Sequence, residues 1–326
     1  MIIYLEKQAK KYDLTNLILD FYKDCQIIEV DNYKNIFDKN INFTTEKCLI
    51  IAKLSWNWIT EVPPNYSKYK KAFFFKSSLN CVFDCSYCYL KWAFKNNFQV
   101  IFVNYEDIQL SIKNKIEELR LTWFVDKIMF YASDYSDNIA TENITQFHKY
   151  FIPFFEQFDN VLMETRTKSV NIKGLLDLWF VPKNTEIAFS LNPSEIIDKY
   201  EKWAPSINQR ILAINELLRK NYKVWIRFLP LLNINNYLQI YADFLDYIIQ
   251  EIDLSQVNSI EIWSLLYTKE DYNKILKKES NADFLYRLSE EDGDFIRNSR
   301  EFRKSIYELF LDKLKNFNIC LDDYEK

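Results

Sequence analysis

The sequence predicts an α/β fold: a partial, open (βα)6 barrel of the TIM type, with a short amino-terminal α/β extension and a helical carboxy-terminal cap. Three observations predict it. Short apolar runs alternate with helical patterns through the middle of the chain, the sign of strand–helix units whose strands pair in parallel through right-handed crossovers. There are six such units, too few to close an eight-stranded barrel. The 326 residues, 48% hydrophobic and 17% aromatic, supply ample apolar surface for one large domain or one domain with appended pieces.

The expected strands lie at 72–76, 127–131, 160–164, 186–190, 223–228 and 259–263. Helices are expected at 105–119, 142–155, 172–178, 205–221 and 238–252. The fourth of these places Ile211, Ile214, Leu217 and Leu218 on one stripe. Residues 1–70 form the extension, with strands at 2–5 and 48–52 and a linker-like spot at Pro63-Pro64-Asn65. The barrel runs over 71–267, and the charged segment 268–326 reads as a helical cap. In such folds the chemistry sits at the carboxyl ends of the strands.

Composition excludes several functions. Only Gly174 and Gly293 are glycine, whereas Walker A and dinucleotide loops each need several. A net charge of −4 opposes non-specific binding to a polyanion. No run reaches the roughly 20 apolar residues of a membrane span, and the start lacks a signal-peptide pattern. A soluble, cytoplasmic protein without a membrane partner is expected.

Six cysteines in so long a chain are not a disulfide scaffold. Cys25, Cys48 and Cys320 are isolated and read as small buried hydrophobes. The other three form CxxxCxxC in Cys81-Val82-Phe83-Asp84-Cys85-Ser86-Tyr87-Cys88, directly after the first expected barrel strand. Three thiolates on one loop can hold three irons of a [4Fe–4S] cubane and leave the fourth open. An open iron can chelate the amino and carboxylate groups of S-adenosylmethionine. Structural zinc is the competing reading; it needs four N/S ligands, and only the distant His148, Cys25, Cys48 and Cys320 could add one. A non-enzymatic iron–sulfur or zinc module is the corresponding alternative to an enzyme.

Arg227 lies inside the apolar strand 223–228. A buried guanidinium is costly unless paired, so it meets a ligand anion or an acid such as Glu164 or Glu261.

The motif and its placement resemble the radical S-adenosylmethionine superfamily, and the wider sequence resembles the spore photoproduct lyase family. The matching pieces are Ile3-Tyr4-Leu5-Glu6, the cysteine loop through Leu90, and Val103-Asn104-Tyr105-Glu106-Asp107-Ile108. Ser136-Asp137, Thr167-Lys168, Phe189-Ser190-Leu191-Asn192 and Arg210 continue the match, which covers roughly residues 1–265. The resemblance implies reductive cleavage of S-adenosylmethionine to a 5′-deoxyadenosyl radical, then hydrogen abstraction from a substrate such as a thymine photoproduct in DNA. It implies a [4Fe–4S] cluster on Cys81, Cys85 and Cys88. S-adenosylmethionine would meet Tyr87, at the adenine, together with Lys168 and Ser190; Arg227, read from its strand alone, is a further candidate contact. Tyr89 would touch substrate or relay hydrogen. Damaged DNA and an external low-potential donor, flavodoxin or ferredoxin, are the implied partners.

Two departures bear on the substrate. Repairing members of the family carry a hydrogen-donating cysteine where this chain has Asp134, beside Tyr135. Tyr135 or Tyr89 would have to replace it. The family's carboxy-terminal DNA-wedging hairpin is not recognisable in the sequence; Arg297, Arg300 and Arg303, expected on the last helix, are the candidate replacements. The same chemistry on another nucleic-acid lesion, an RNA base, a peptide or a metabolite is the alternative.

Overall fold

The computed structural model describes residues 1–39, 48–55, 59–63 and 66–321. Most of the Pro63-Pro64-Asn65 linker lies outside these residues, as does the side chain of Cys320. The described chain divides into two compact units.

The first unit draws on Met1–Val82, Phe94–Thr167 and Asn171–Glu186. It holds the first three barrel strands, Lys71–Phe75, Ile128–Tyr131 and Val161–Thr167. They pair in parallel, with Ala72 opposite Met129 and Leu162 opposite Met129 on the other side. Ile59–Glu61 adds an antiparallel strand beside the first. A second sheet in this unit has five strands. Gln26–Val30, Ile2–Glu6, Cys48–Ala52, Gln99–Phe102 and Ser78–Leu79 lie in that order. Residues 78–79 and 99–102 therefore join the amino-terminal strands, and the amino-terminal layer does not stop at residue 70. Gln99–Phe102 escapes sequence reading because Phe98 to Val103 is apolar on both faces and too short to show a period.

Aromatic packing explains part of the phenylalanine content. Phe147 stacks on Phe151 at 4.4 Å between centroids, and Phe75 approaches Phe151 at 5.3 Å. Phe130 meets Phe155 at 5.7 Å. Each such buried ring contributes roughly 1.5–3 kcal/mol, and together they seat the helix Phe147–Phe155 on the strands.

The single helix expected at 142–155 is two, Glu142–Thr145 and Phe147–Phe155, broken at Gln146 with φ 49°. The Glu142 carboxylate accepts the His148 amide at 3.1 Å. It thereby satisfies a donor that the second helix's first turn leaves open, a tertiary contact that periodicity does not register.

The second unit draws on Phe83–Ala93, Lys168–Val170 and the chain from 187 onward. Its strands pair in parallel, Ile187 with Val224, Ile226 with Ile260, and Ile260 with Ile319. The helix Ile207–Arg219 opens on a capping box. Ser206 Oγ accepts the Gln209 amide, and the Gln209 side chain accepts the Ser206 amide at 2.9 Å.

The segment from 268 is not all helix. Leu266–Thr268, Phe295–Asn298 and Leu288–Asp292 form a three-stranded antiparallel sheet in that order, beside the helices Lys269–Lys278 and Arg300–Leu314. A two-residue turn, Gly293-Asp294, joins the last two strands, with Gly293 at φ +57°. A glycine there relieves the left-handed strain. Glycine–aspartate between two short runs is a hairpin signal, masked here by the surrounding acidic residues. Among the described residues no helix is long and apolar enough to cross a membrane.

Candidate active site

The cysteine loop is clamped inside the second unit. Asp84–Cys85 pairs antiparallel with Glu201–Lys202, Cys85 standing opposite Glu201. The Ser86 amide donates to the Tyr200 carbonyl at 2.8 Å, and the Cys88 amide to the Cys85 carbonyl at 3.0 Å. Cys81 stands four residues before Cys85, at the end of the first unit's segment Met1–Val82. Lys91, on the short helix Leu90–Ala93, pairs with Asp84 at 2.6 Å and with Glu279, fixing the loop's outer side.

Behind the loop lies a buried charge cluster. Glu201 and Arg210 are 2% and 0% exposed. Arg210 pairs with the Glu201 carboxylate and donates to the Ser190 carbonyl at 2.9 Å. The Tyr87 hydroxyl also donates to Glu201, and Asn192 Nδ2 donates to it at 2.8 Å. The Lys168 ammonium sits 5.4 Å over the Tyr87 ring. So Tyr87, Lys168 and Ser190, three residues expected at one site, converge on Glu201 and Arg210. Arg210 was part of the sequence resemblance. Glu201 was missed, since a glutamate at a helix end carries no signal until its partner is known.

Burial by itself would push the Lys168 ammonium down; Cys85 and Glu201 outweigh it, and it stays above its ordinary value. Burial raises the Glu201 carboxyl, but Arg210 and Lys168 pull it below its usual range. Burial pushes the Cys85 thiol up to about 12, with Lys168 opposing. A thiol so placed becomes a thiolate at neutral pH when a metal cation displaces its proton.

The residues fit an iron–sulfur cluster carrying an amino-acid ligand. Lys168 offers a cation for a carboxylate. Asn192 Oδ1 is a buried acceptor with no partner among the described residues, a state costing about 1–3 kcal/mol and satisfied by an ammonium or amide donor. A structural zinc ion would need a fourth N or S ligand beside the three thiolates of this loop.

Arg227 has its acid. Ser190, Arg227 and Glu261 stand in register on neighbouring strands, hence on one face, and Arg227 pairs with Glu261 rather than Glu164. Tyr89 is half-buried and meets Trp92 edge-on at 6.4 Å; Trp92 meets Tyr267 at 5.4 Å. The Tyr267 hydroxyl donates to the Tyr87 carbonyl at 2.8 Å.

Tyr135 and Asp134 belong to the first unit, on the loop that follows the strand Ile128–Tyr131. The Lys76 ammonium lies 4.8 Å over the Tyr135 ring. Burial raises the Tyr135 phenol, Asp134 adds to the rise, and a hydrogen bond with the Thr60 side chain opposes it. The loop is pinned beyond these residues. Thr167 Oγ1 donates to Asp137 at 2.8 Å, and Asn138 Nδ2 donates to the Ala132 carbonyl at 2.9 Å.

The arginines proposed for the missing wedge do not form a basic helix face. Arg297 lies on the strand Phe295–Asn298 and pairs with Asp292 at 2.8 Å. Arg303 is 5% exposed and pairs with Glu290 at 3.0 Å. Only Arg300, the first residue of its helix, is exposed. Cys25 and Cys48 are half-buried rather than buried.

Comparison with known proteins adds to this geometry. The family model described as spore photoproduct lyase matches residues 1–292. A curated spore photoproduct lyase from Clostridium acetobutylicum is 27% identical over 203 residues, which are 62% of this chain and 59% of that protein. Another, from a Geobacillus species, is 24% identical over 193 residues, 58% and 55% of the two chains. The matched region thus spans less than two thirds of either relative. A solved structure of a spore photoproduct lyase mutant with bound AdoMet and dinucleoside spore photoproduct superposes with TM-score 0.79 at 18% identity, covering 98% of this chain and 97% of that one. A spore photoproduct lyase complexed with dinucleoside spore photoproduct gives TM-score 0.80 at 17% identity with the same coverage. At those identities the likeness shows the fold, the open partial TIM-type barrel of radical S-adenosylmethionine proteins. By the family match over residues 1–292, the chain belongs to the spore photoproduct lyase family.

Proposed function

We propose that this chain is a radical S-adenosylmethionine enzyme that repairs a thymine photoproduct in DNA. Cys81, Cys85 and Cys88 would hold a [4Fe–4S] cluster, which with S-adenosylmethionine bound would supply the reductive cleavage that yields the 5′-deoxyadenosyl radical. The chain's residues do the rest. Lys168 pairs with the ligand carboxylate, and the Asn192 Oδ1 acceptor takes a ligand donor. Glu201 and Arg210 hold Tyr87 and the Ser190 carbonyl in place, so these groups are organised before the ligand arrives. Arg227, charge-balanced by Glu261, stands on the same face as Ser190 and is the further contact to S-adenosylmethionine. Tyr135 gives its phenolic hydrogen atom to the product radical in place of the family's cysteine, and the tyrosyl radical left behind is restored through Tyr89 by one proton and one electron from the external donor. An external flavodoxin or ferredoxin provides the low-potential electron.

The observation that carries this reading is the Lys168 ammonium over the Tyr87 ring, beside Cys85 and Cys88 and backed by Glu201 and Arg210. A redox sensor or zinc module has no use for such a buried charge cluster. The relatives' structures with AdoMet and dinucleoside spore photoproduct support both the cofactor and the substrate.

A second reading, the same radical chemistry on another substrate, is favoured by the hairpin. Glu290, Glu291, Asp292 and Asp294 surround its turn, and acidic side chains repel a phosphate backbone. One assay separates the two. Reconstituted protein is reduced anaerobically with dithionite and given S-adenosylmethionine and an oligonucleotide bearing a spore photoproduct. Recovered thymines support repair. Formation of 5′-deoxyadenosine without recovered thymine moves the substrate elsewhere, and zinc without 5′-deoxyadenosine ends the radical reading.

A further inference from the structure

His148 is the chain's only histidine, and it is 0% exposed. Its Nδ1 lies 2.6 Å from the Glu142 carboxylate, and its Nε2 lies 3.3 Å from Thr165 Oγ1. Thr165 Oγ1 in turn lies 3.1 Å from Ser133 Oγ. Glu142 is 3% exposed and Thr165 0%. These four side chains form one unbranched chain of hydrogen bonds, all inside the first unit. It starts in the core and ends on the loop that carries Asp134 and Tyr135.

A carboxylate only accepts, so Nδ1 carries the proton of the bond to Glu142. Thr165 and Ser133, whose hydroxyls both donate and accept, carry the chain onward from Nε2. Ser133 is held by its hydroxyl, one residue before Asp134 and two before Tyr135. The arrangement has been fitted at a cost elsewhere. Gly174 is one of two glycines, and a Cβ on it would lie 2.6 Å from Glu142 Cγ and Oε1. The helix Lys173–Leu176 therefore needs glycine there for the carboxylate to reach His148. The helix break at Gln146 serves the same contact, because the Glu142 carboxylate also takes the His148 amide.

We propose that Glu142, His148 and Thr165 are positioning residues that hold the Ser133–Tyr135 loop in the conformation required for hydrogen donation. The proposal rests on the reading of Tyr135 as donor. Buried polar chains of this kind specify one arrangement when every member is satisfied and lose it when one link is cut. Cutting at Thr165 frees Ser133 without touching the loop itself.

The test compares cluster-loaded protein with Thr165→Val, which keeps shape and removes the hydroxyl, Thr165→Ser, which restores the hydroxyl, and Gly174→Ala, which displaces Glu142. Two quantities are read: amide hydrogen exchange over residues 132–137, and thymine recovered per 5′-deoxyadenosine formed. In Thr165→Val and Gly174→Ala the exchange is expected to quicken about tenfold and the ratio to fall about tenfold. Thr165→Ser is expected to stay within about threefold of the parent in both. Unchanged exchange or an unchanged ratio in Thr165→Val overturns the proposal. A parent protein that forms 5′-deoxyadenosine but never recovers thymine overturns the photoproduct reading instead, and the exchange measurement then decides whether the chain positions the loop.

Discussion

Lys168, Tyr135 and Glu201 make different demands on their surroundings, and each demand yields a prediction. Lys168 is held charged by Cys85 and Glu201 against the pull of burial. Lys168→Ala is expected to weaken S-adenosylmethionine binding about tenfold or more while leaving iron and sulfide content unchanged. Equilibrium dialysis beside an iron assay measures both, and normal binding would remove Lys168 from the ligand site. Tyr135→Phe removes only a phenolic hydrogen. Thymine recovery should fall at least tenfold while 5′-deoxyadenosine still forms; recovery at the parent rate would pass the donor role to Tyr89. Glu201→Gln leaves Arg210 buried without its counter-charge, a loss of about 3–5 kcal/mol at pH 7. The sign with pH follows from the lowered carboxyl. Its contribution is present above the unfolded carboxyl value of about 4.3 and disappears as pH falls through the lower folded value. Urea titrations at pH 7 and near pH 3 should therefore show the gap between parent and variant narrowing in acid. A gap of constant size would mean that the ion pair is not what Glu201 contributes.

Elements differ in how much of their cause is local. The six barrel strands and the helix Ile207–Arg219 are legible because short apolar runs, and an apolar stripe at helical spacing, each lie within one strand or helix. The break at Gln146 is not legible, since the residue that causes it, Glu142, acts through a side chain folded back on the next helix. The hairpin Leu288–Asp292 to Phe295–Asn298 was missed for a related reason: its first strand is acidic and largely exposed, and the second strand's other ladder partner, Leu266–Thr268, lies about thirty residues away in sequence. Its turn offers a clean test. A Cβ on Gly293 meets nothing within 4 Å, so Gly293→Ala would cost only backbone strain, about 1–2 kcal/mol for a left-handed residue. A melting temperature lowered by a few degrees is the expected result, and no change would show the turn relaxing to another conformation.

For the whole molecule, charge is the property that bears most directly on a DNA substrate. Net charge is −4, Arg297 and Arg303 are engaged by acids of the hairpin, and the hairpin turn is acidic. Undamaged duplex is expected to bind no tighter than the weak end of non-specific affinity, a Kd of about 10⁻⁴ M at physiological salt, when titrated by fluorescence anisotropy. Micromolar binding would reveal a basic track that the side-chain pairing conceals.

By itself the sequence determined the barrel's strand–helix alternation, the thiolate motif on the loop after the first strand, the exclusion of glycine-rich nucleotide loops, and the placement of Lys168 and Ser190 at strand ends. All of these depend on residues near one another in the chain, where period and spacing are informative. Tertiary structure alone decided that Glu201 and Arg210 form the buried centre behind Tyr87, and that Arg227 takes Glu261 rather than Glu164. It alone made His148 the middle of a hydrogen-bonded chain from Glu142 to Ser133. Pairings of that kind join residues from six to more than a hundred positions apart. A charged or polar side chain gives no sign of its partner until burial removes water as the alternative.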